Sequence, residues 1–190
     1  MKMMRMKFAL LAAVTFLPAC GPGSTAPSSV VRVAPTSVQR YLFINHFAEG
    51  TINSLRPAAT PSGRGVLILP VHNGPEKTQT LTVLASYRYT YRNVAVASGD
   101  RLQFVAAKPY SIGIGVRAFV DVISGGVTKR VVDEVLPPAI GENPIWKAFS
   151  VPMSDYANQK VSIVFGADQL PADGTAAWVV FGEPQLDGAQ

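Results

Sequence analysis

Few residues in this chain could do acid–base, nucleophilic or metal chemistry, and they do not converge. Two histidines, His46 and His72, stand far apart, and neither has a histidine or cysteine at a metal-ligand spacing. The single cysteine, Cys20, sits near the N-terminus, and no Gly-x-Ser-x-Gly elbow is present. Asp133 and Glu134 are neighbours in a β-rich run, so strand alternation sends their carboxylates to opposite faces. Asp168 and Asp173 flank a loop and are weak candidates for a structural calcium, without the dense Asp/Asn run a calcium loop carries. Gly113 and Gly115 alternate without Walker or dinucleotide spacing, so no phosphate loop is indicated. This inventory predicts a chain that is not an enzyme, with no catalytic residue and no required cofactor.

A binding chemistry is easier to place. In Tyr87-Arg88-Tyr89-Thr90-Tyr91-Arg92 the period of a strand puts Tyr87, Tyr89 and Tyr91 on one face. Arg88, Thr90 and Arg92 take the other. Aromatic faces stack on sugar rings, and a guanidinium grips carboxylate or phosphate with a two-pronged fork. Either face is a candidate ligand surface, against the alternative that the tyrosines are core and the arginines a solvated face.

The elements around these residues begin with a leader. Met1–Lys7 carries Lys2, Arg5 and Lys7, and Phe8–Phe16 is an apolar run broken only by Thr15, too short to span a bilayer. That is the anatomy of a secretory signal peptide over residues 1–19. The formal charge of +5 shrinks once it is removed: 14 of the 17 basic residues remain against 12 acidic ones, or +2, and they are scattered. A nucleic-acid partner is therefore not expected. Residues 20–37 are rich in Gly, Pro and Ser and predict a flexible tether.

From residue 38 to 190 the pattern is that of one all-β domain. Candidate strands are Tyr41–Phe47, Gly65–Val71, Thr80–Ala85, Tyr87–Val96, Arg101–Ala106, Ile114–Ile123, Val127–Val135, Trp146–Val151, Lys160–Phe165 and Ala176–Phe181. Ser124-Gly125-Gly126 is a hairpin signal, and no stretch keeps a helical period. Such spacing indicates an antiparallel sandwich. Trp146, Phe149 and Trp178 are expected in its core.

Two passages resemble known families. Leu17-Pro18-Ala19-Cys20, directly after the apolar run, resembles the lipobox of bacterial lipoproteins, with Pro18 an unusual occupant. The resemblance implies a diacylglyceryl group on the Cys20 thiol, cleavage before it and an extracytoplasmic membrane anchor. Gly21 is not the aspartate that retains many such proteins at the inner membrane, which implies the outer membrane in a two-membrane cell. Second, Trp146-Lys-Ala-Phe149-Ser-Val151-Pro-Met153-Ser154-Asp-Tyr156-Ala157-Asn158-Gln159, followed by Val161-Ser-Ile163-Val-Phe165, is similar to a passage of galactose-binding-domain-like jelly rolls. Val94–Phe104 and Trp178-Val-Val-Phe181-Gly182-Glu183-Pro184-Gln-Leu186 match the strands around it. Met153 and Asn158 replace the usual leucine and glycine, and Asn tolerates a left-handed turn. The likeness implies a jelly-roll β-sandwich, a fold that serves carbohydrate-binding, protein-docking and purely structural roles. The function expected first is therefore an envelope lipoprotein that binds a carbohydrate or envelope polysaccharide. An accessory subunit docking onto another envelope protein is the alternative, and a carboxylate-dependent hydrolase is the third.

Overall fold

A computed structural model describes residues 30–32, 38–54, 65–171 and 177–188. The expected leader, Cys20 and Asp173 lie outside them. Eleven strands follow in order: β1 Val38–Leu42, β2 Thr51–Ser54, β3 Val66–Asn73, β4 Glu76–Leu84, β5 Tyr87–Val96 and β6 Arg101–Ala107. They continue with β7 Val116–Ser124, β8 Val127–Leu136, β9 Lys147–Pro152, β10 Gln159–Asp168 and β11 Trp178–Gly188. One sheet runs β3-β4-β11-β6-β9, with β1 joining the far half of β11; the other runs β2-β5-β10-β7-β8. All the pairings are antiparallel. From β4 onward the chain crosses between sheets at nearly every connection, and this interleaving is the expected jelly-roll sandwich.

Period-2 alternation builds the core. Leu81 and Val83 of β4, Leu102, Phe104 and Ala106 of β6, and Val179 and Phe181 of β11 face inward from one sheet. Tyr89, Tyr91, Val120, Val122, Ile163 and Phe165 meet them from the other. Burial at about 25 cal/mol per Å² of apolar area makes this layer the main source of stability. Phe165 centres an edge-to-face aromatic set with Phe43, Phe104 and Phe181 at centroid distances of 5.1–6.0 Å. The β7–β8 hairpin turns at Gly125 and Gly126, whose φ values of +57° and +80° are those a side chain resists. Asn158 takes φ +61°, a left-handed turn that asparagine tolerates.

Four expectations change. The run Tyr41–Phe47 is half strand: after Leu42 the chain curls into a 3-10 turn, Phe43–Glu49, that drives Phe43 into the core. β2, an exposed edge strand with one large apolar residue, was not anticipated. Trp146 packs on the outer face of the six-stranded sheet with Val105, Ala107 and Val180, not in the main core. The stretch expected to be tether throughout is docked at Val31 and Arg32. Val31 packs against the Trp146 cluster and exchanges hydrogen bonds with Asn73.

Candidate functional site

The tyrosines singled out in the sequence do share one face of β5, and that face is the interior. Tyr87, Tyr89 and Tyr91 are all buried, which withdraws them as a sugar-stacking platform. Alternation identifies the shared face but not which face meets the opposite sheet. Here the tyrosines bring the larger apolar area, so they go in. Tyr89 stacks on Phe47 and donates its hydroxyl to the Phe47 carbonyl; Tyr91 packs edge-on against Phe43. Burial pushes both phenols up from their ordinary pKa, and burial with the nearby Glu49 carboxylate pushes Tyr41 up to about 12.

The opposite face of β5 is on the surface, but its first arginine is occupied. Arg88 donates to Asp168 at 2.7 Å and to the Ala167 carbonyl at 3.0 Å, and its guanidinium lies 4.2 Å from the centroid of the Phe119 ring. Arg130 covers the same ring at 3.9 Å while bonding Asp121, which raises its pKa further. Arg92 is exposed at a bulge where Asn93 turns left-handed, apart from Arg88. With Asp168 committed to a guanidinium, it does not suit a calcium ion. Among the described residues no three His, Cys, Asp or Glu gather as a metal site. His46 stacks on Tyr41 and pairs with Glu49, and His72 is exposed at the end of β3. Asp133 pairs with Arg117 and Glu134 with Lys147, so neither carboxylate faces the other across a cleft.

A cavity opens elsewhere, on the outer face of the six-stranded sheet, with a volume of about 340 Å³. Its floor is Gln103 and Val105 of β6 beside Gly182 and Gln185 of β11, and Thr78 of β4 and Asn73 form one wall. The Val31–Arg32 arm closes another side. Asn73 clamps that arm: its side-chain oxygen accepts from the Val31 N–H at 2.9 Å, and its amide donates to the Val31 carbonyl at 2.7 Å. Arg32 is held by Glu76. Gln185 donates to Asp187 at 3.2 Å.

Two groups in the groove stay unused. Gln103 is only 2% exposed, yet its side-chain carbonyl oxygen accepts no hydrogen bond. Glu183 lines the groove from a bulge between Gly182 and Gln185, exposed and without an ion pair among the described residues. A buried amide left unpaired in this way costs about 1–3 kcal/mol, unless a ligand or ordered water supplies the donor. Amide, hydroxyl and carboxylate groups around a small apolar floor are the chemistry that fixes the orientation of a polar small molecule.

Comparison with known proteins now bears on the fold. No protein-family model matches the chain, and no curated protein matches it. Among solved structures it is similar to TmCBM61 in complex with β-1,4-galactotriose, at 13% identity and a TM-score of 0.51. That match covers 76% of this chain and 92% of that one. It is similar also to the K3 cleaved adhesin domain of Lys-gingipain from Porphyromonas gingivalis W83, at 10% identity and 0.51, covering 80% and 99%. The chain has the jelly-roll fold of these binding and adhesin domains. At such identity the likeness speaks for the fold alone.

Proposed function

We propose that this chain is a non-catalytic, lipid-anchored envelope protein whose β-sandwich binds a carbohydrate in the groove between Gln103, Glu183 and Asn73. The unpartnered Gln103 carbonyl carries the reading: of the five buried side-chain oxygens without a hydrogen-bond partner among the described residues, it is the one that lines this cavity, where a ligand can reach it. A sugar hydroxyl is the donor such a carbonyl lacks. The fold supports the same reading, since one protein of this fold has been solved holding β-1,4-galactotriose. Anchoring rests on the leader and on Cys20, and the docked arm at Val31 leaves about ten residues between the lipid and the domain.

The test is calorimetric titration of the full chain with β-1,4-galactotriose, alongside a Gln103→Ala variant. Saturable binding lost in the variant, with the melting temperature retained, is the expected result. Equal binding by both proteins would remove the groove from the account. For the anchor, Cys20→Ala should release the protein from the membrane fraction, and unchanged fractionation would sink that part.

A second reading has its own observation. The loops 109–115 and 137–145 are joined by a 3.1 Å bond from the Ala139 N–H to the Tyr110 carbonyl. They expose Tyr110, Ile112, Ile114 and Ile140, Ile112 at 68% and Ile140 at 72%. An apolar tip of this kind suits docking onto another envelope protein, and that becomes the favoured role if no saccharide binds.

A further inference from the structure

The backbone at Glu183 is unusual. Its φ is +45°, a left-handed conformation that a side chain resists and that Gly, Asn and Asp adopt far more readily. It sits at an extra residue in β11, where Gly182 pairs with Val105 and Gln185 with Gln103, so three steps on one strand face two on the other. Pro184 follows and is buried, which suits a strand already broken by a bulge. The insertion takes Glu183 out of the ladder and leaves it exposed among the residues that line the groove. A glycine here would serve the backbone better. A glutamate in a strained backbone, without an ion pair among the described residues, lines the same groove as a buried carbonyl without a hydrogen-bond donor, and backbone stability explains neither.

The unspent groups of the groove also include one acid. Asn73 is used up by the arm and by Thr78, and the Arg32 charge is taken by Glu76. What remains is the Gln103 amide, with its carbonyl oxygen and its N–H donors, and the Glu183 carboxylate, which only accepts. Glu183 adds an uncompensated negative charge at the mouth. A ligand for this site meets an amide that accepts and donates beside a carboxylate that only accepts, a setting that favours hydroxyl groups over acids.

We propose that Glu183 is the carboxylate that recognises the ligand in this groove, and that the saccharide it selects is neutral, held through its hydroxyl donors. The inference rests on the carbohydrate reading above and narrows it to a class. Acidic glycans, with uronate or phosphate groups, are turned away by the same carboxylate.

The experiment is titration of the full chain and its Glu183→Gln and Glu183→Gly variants. The ligands are β-1,4-galactotriose and the same trisaccharide oxidised to the uronate at its C6 positions, with melting temperatures taken in parallel. The wild type should bind the neutral sugar at least about tenfold more tightly than the oxidised one, the scale of one charged contact. Glu183→Gln should lose about tenfold for the neutral sugar and narrow the gap between the two. Glu183→Gly should lose binding while melting about 2–4 °C higher, because the strain is gone. Unchanged affinity in both variants, or equal binding of the two sugars by the wild type, overturns the inference and leaves the groove reading standing. Loss of binding with a lower melting temperature in both variants makes Glu183 a structural residue and overturns it as well. Failure of the wild type to bind either sugar overturns the inference together with the reading beneath it.

Discussion

The two outer faces of the sandwich are built from the same kinds of residue and finished differently. On the five-stranded sheet each side chain of the central charged cluster has a partner. Arg88 pairs with Asp168, Arg130 with Asp121 and Arg117 with Asp133, while Phe119 lies beneath two guanidiniums. On the six-stranded sheet the cover is partial: a buried carbonyl has no donor, and an exposed glutamate stands in a strained bulge. A face whose groups satisfy one another offers a ligand nothing. The unfinished face is where a ligand gains most, since it supplies hydrogen bonds the protein lacks. Net charge cannot separate the two faces; the state of pairing does.

The largest effect is expected on the finished face. Phe119 is fully buried though it belongs to neither core cluster. It lies flat across Gly166, where a Cβ would overlap its ring. Phe119→Ala removes the ring and the seat of both guanidiniums, and should destabilise the domain by about 4 kcal/mol in urea unfolding. Saccharide binding below the unfolding transition should stay unchanged, since the groove is on the other sheet. A loss below 1 kcal/mol, or a change in affinity in the folded variant, would break the contrast between the faces.

A middle effect is expected at the clamp. Asn73 devotes its side chain to the Val31 peptide group and to Thr78, so Asn73→Ala should destabilise by about 2 kcal/mol. It should also free the arm, read as faster hydrogen exchange at Val31. Retained protection there would mean that the packing of Val31 against Trp146, and not the asparagine, holds the segment.

How much of this the sequence made legible depends on how local each feature is. The β7–β8 hairpin is local, with its two glycines and flanking alternation, and it forms where expected. β5 is read with its correct ends, and its tyrosines share a face as expected. Which face is interior is settled by the facing sheet, whose β11 comes much later in the chain, and that turned the tyrosines from a candidate surface into core. β2 carries too little apolar character to announce itself, being an exposed edge. The groove was not seen because it joins Asn73, Gln103 and Glu183 across three separate strands. One signal was present: Gly182-Glu183-Pro184 interrupts an alternating apolar run, and a proline inside a strand marks a bulge or an edge. Asn73, beside a turn glycine, reads as ordinary turn chemistry, and nothing in Gly21–Thr36 marks Val31 as the residue it holds.

The smallest effect separates the two faces most cleanly. Gln103→Leu keeps the side chain close to its original volume and removes the carbonyl that accepts no hydrogen bond. Replacing a buried unsatisfied group by an apolar one of similar shape is neutral to mildly stabilising, so the domain should gain about 0–1 kcal/mol while saccharide binding disappears. The parallel change on the other sheet, Arg88→Met, keeps an apolar stem over Phe119 but strands the half-buried Asp168. It should therefore lose about 1 kcal/mol with binding intact. Opposite signs of stability and opposite outcomes for binding would place the ligand on the unfinished face. If Gln103→Leu instead destabilises the fold as Arg88→Met does, then the amide already has its partner inside the protein, and the two faces do not differ in the way that matters.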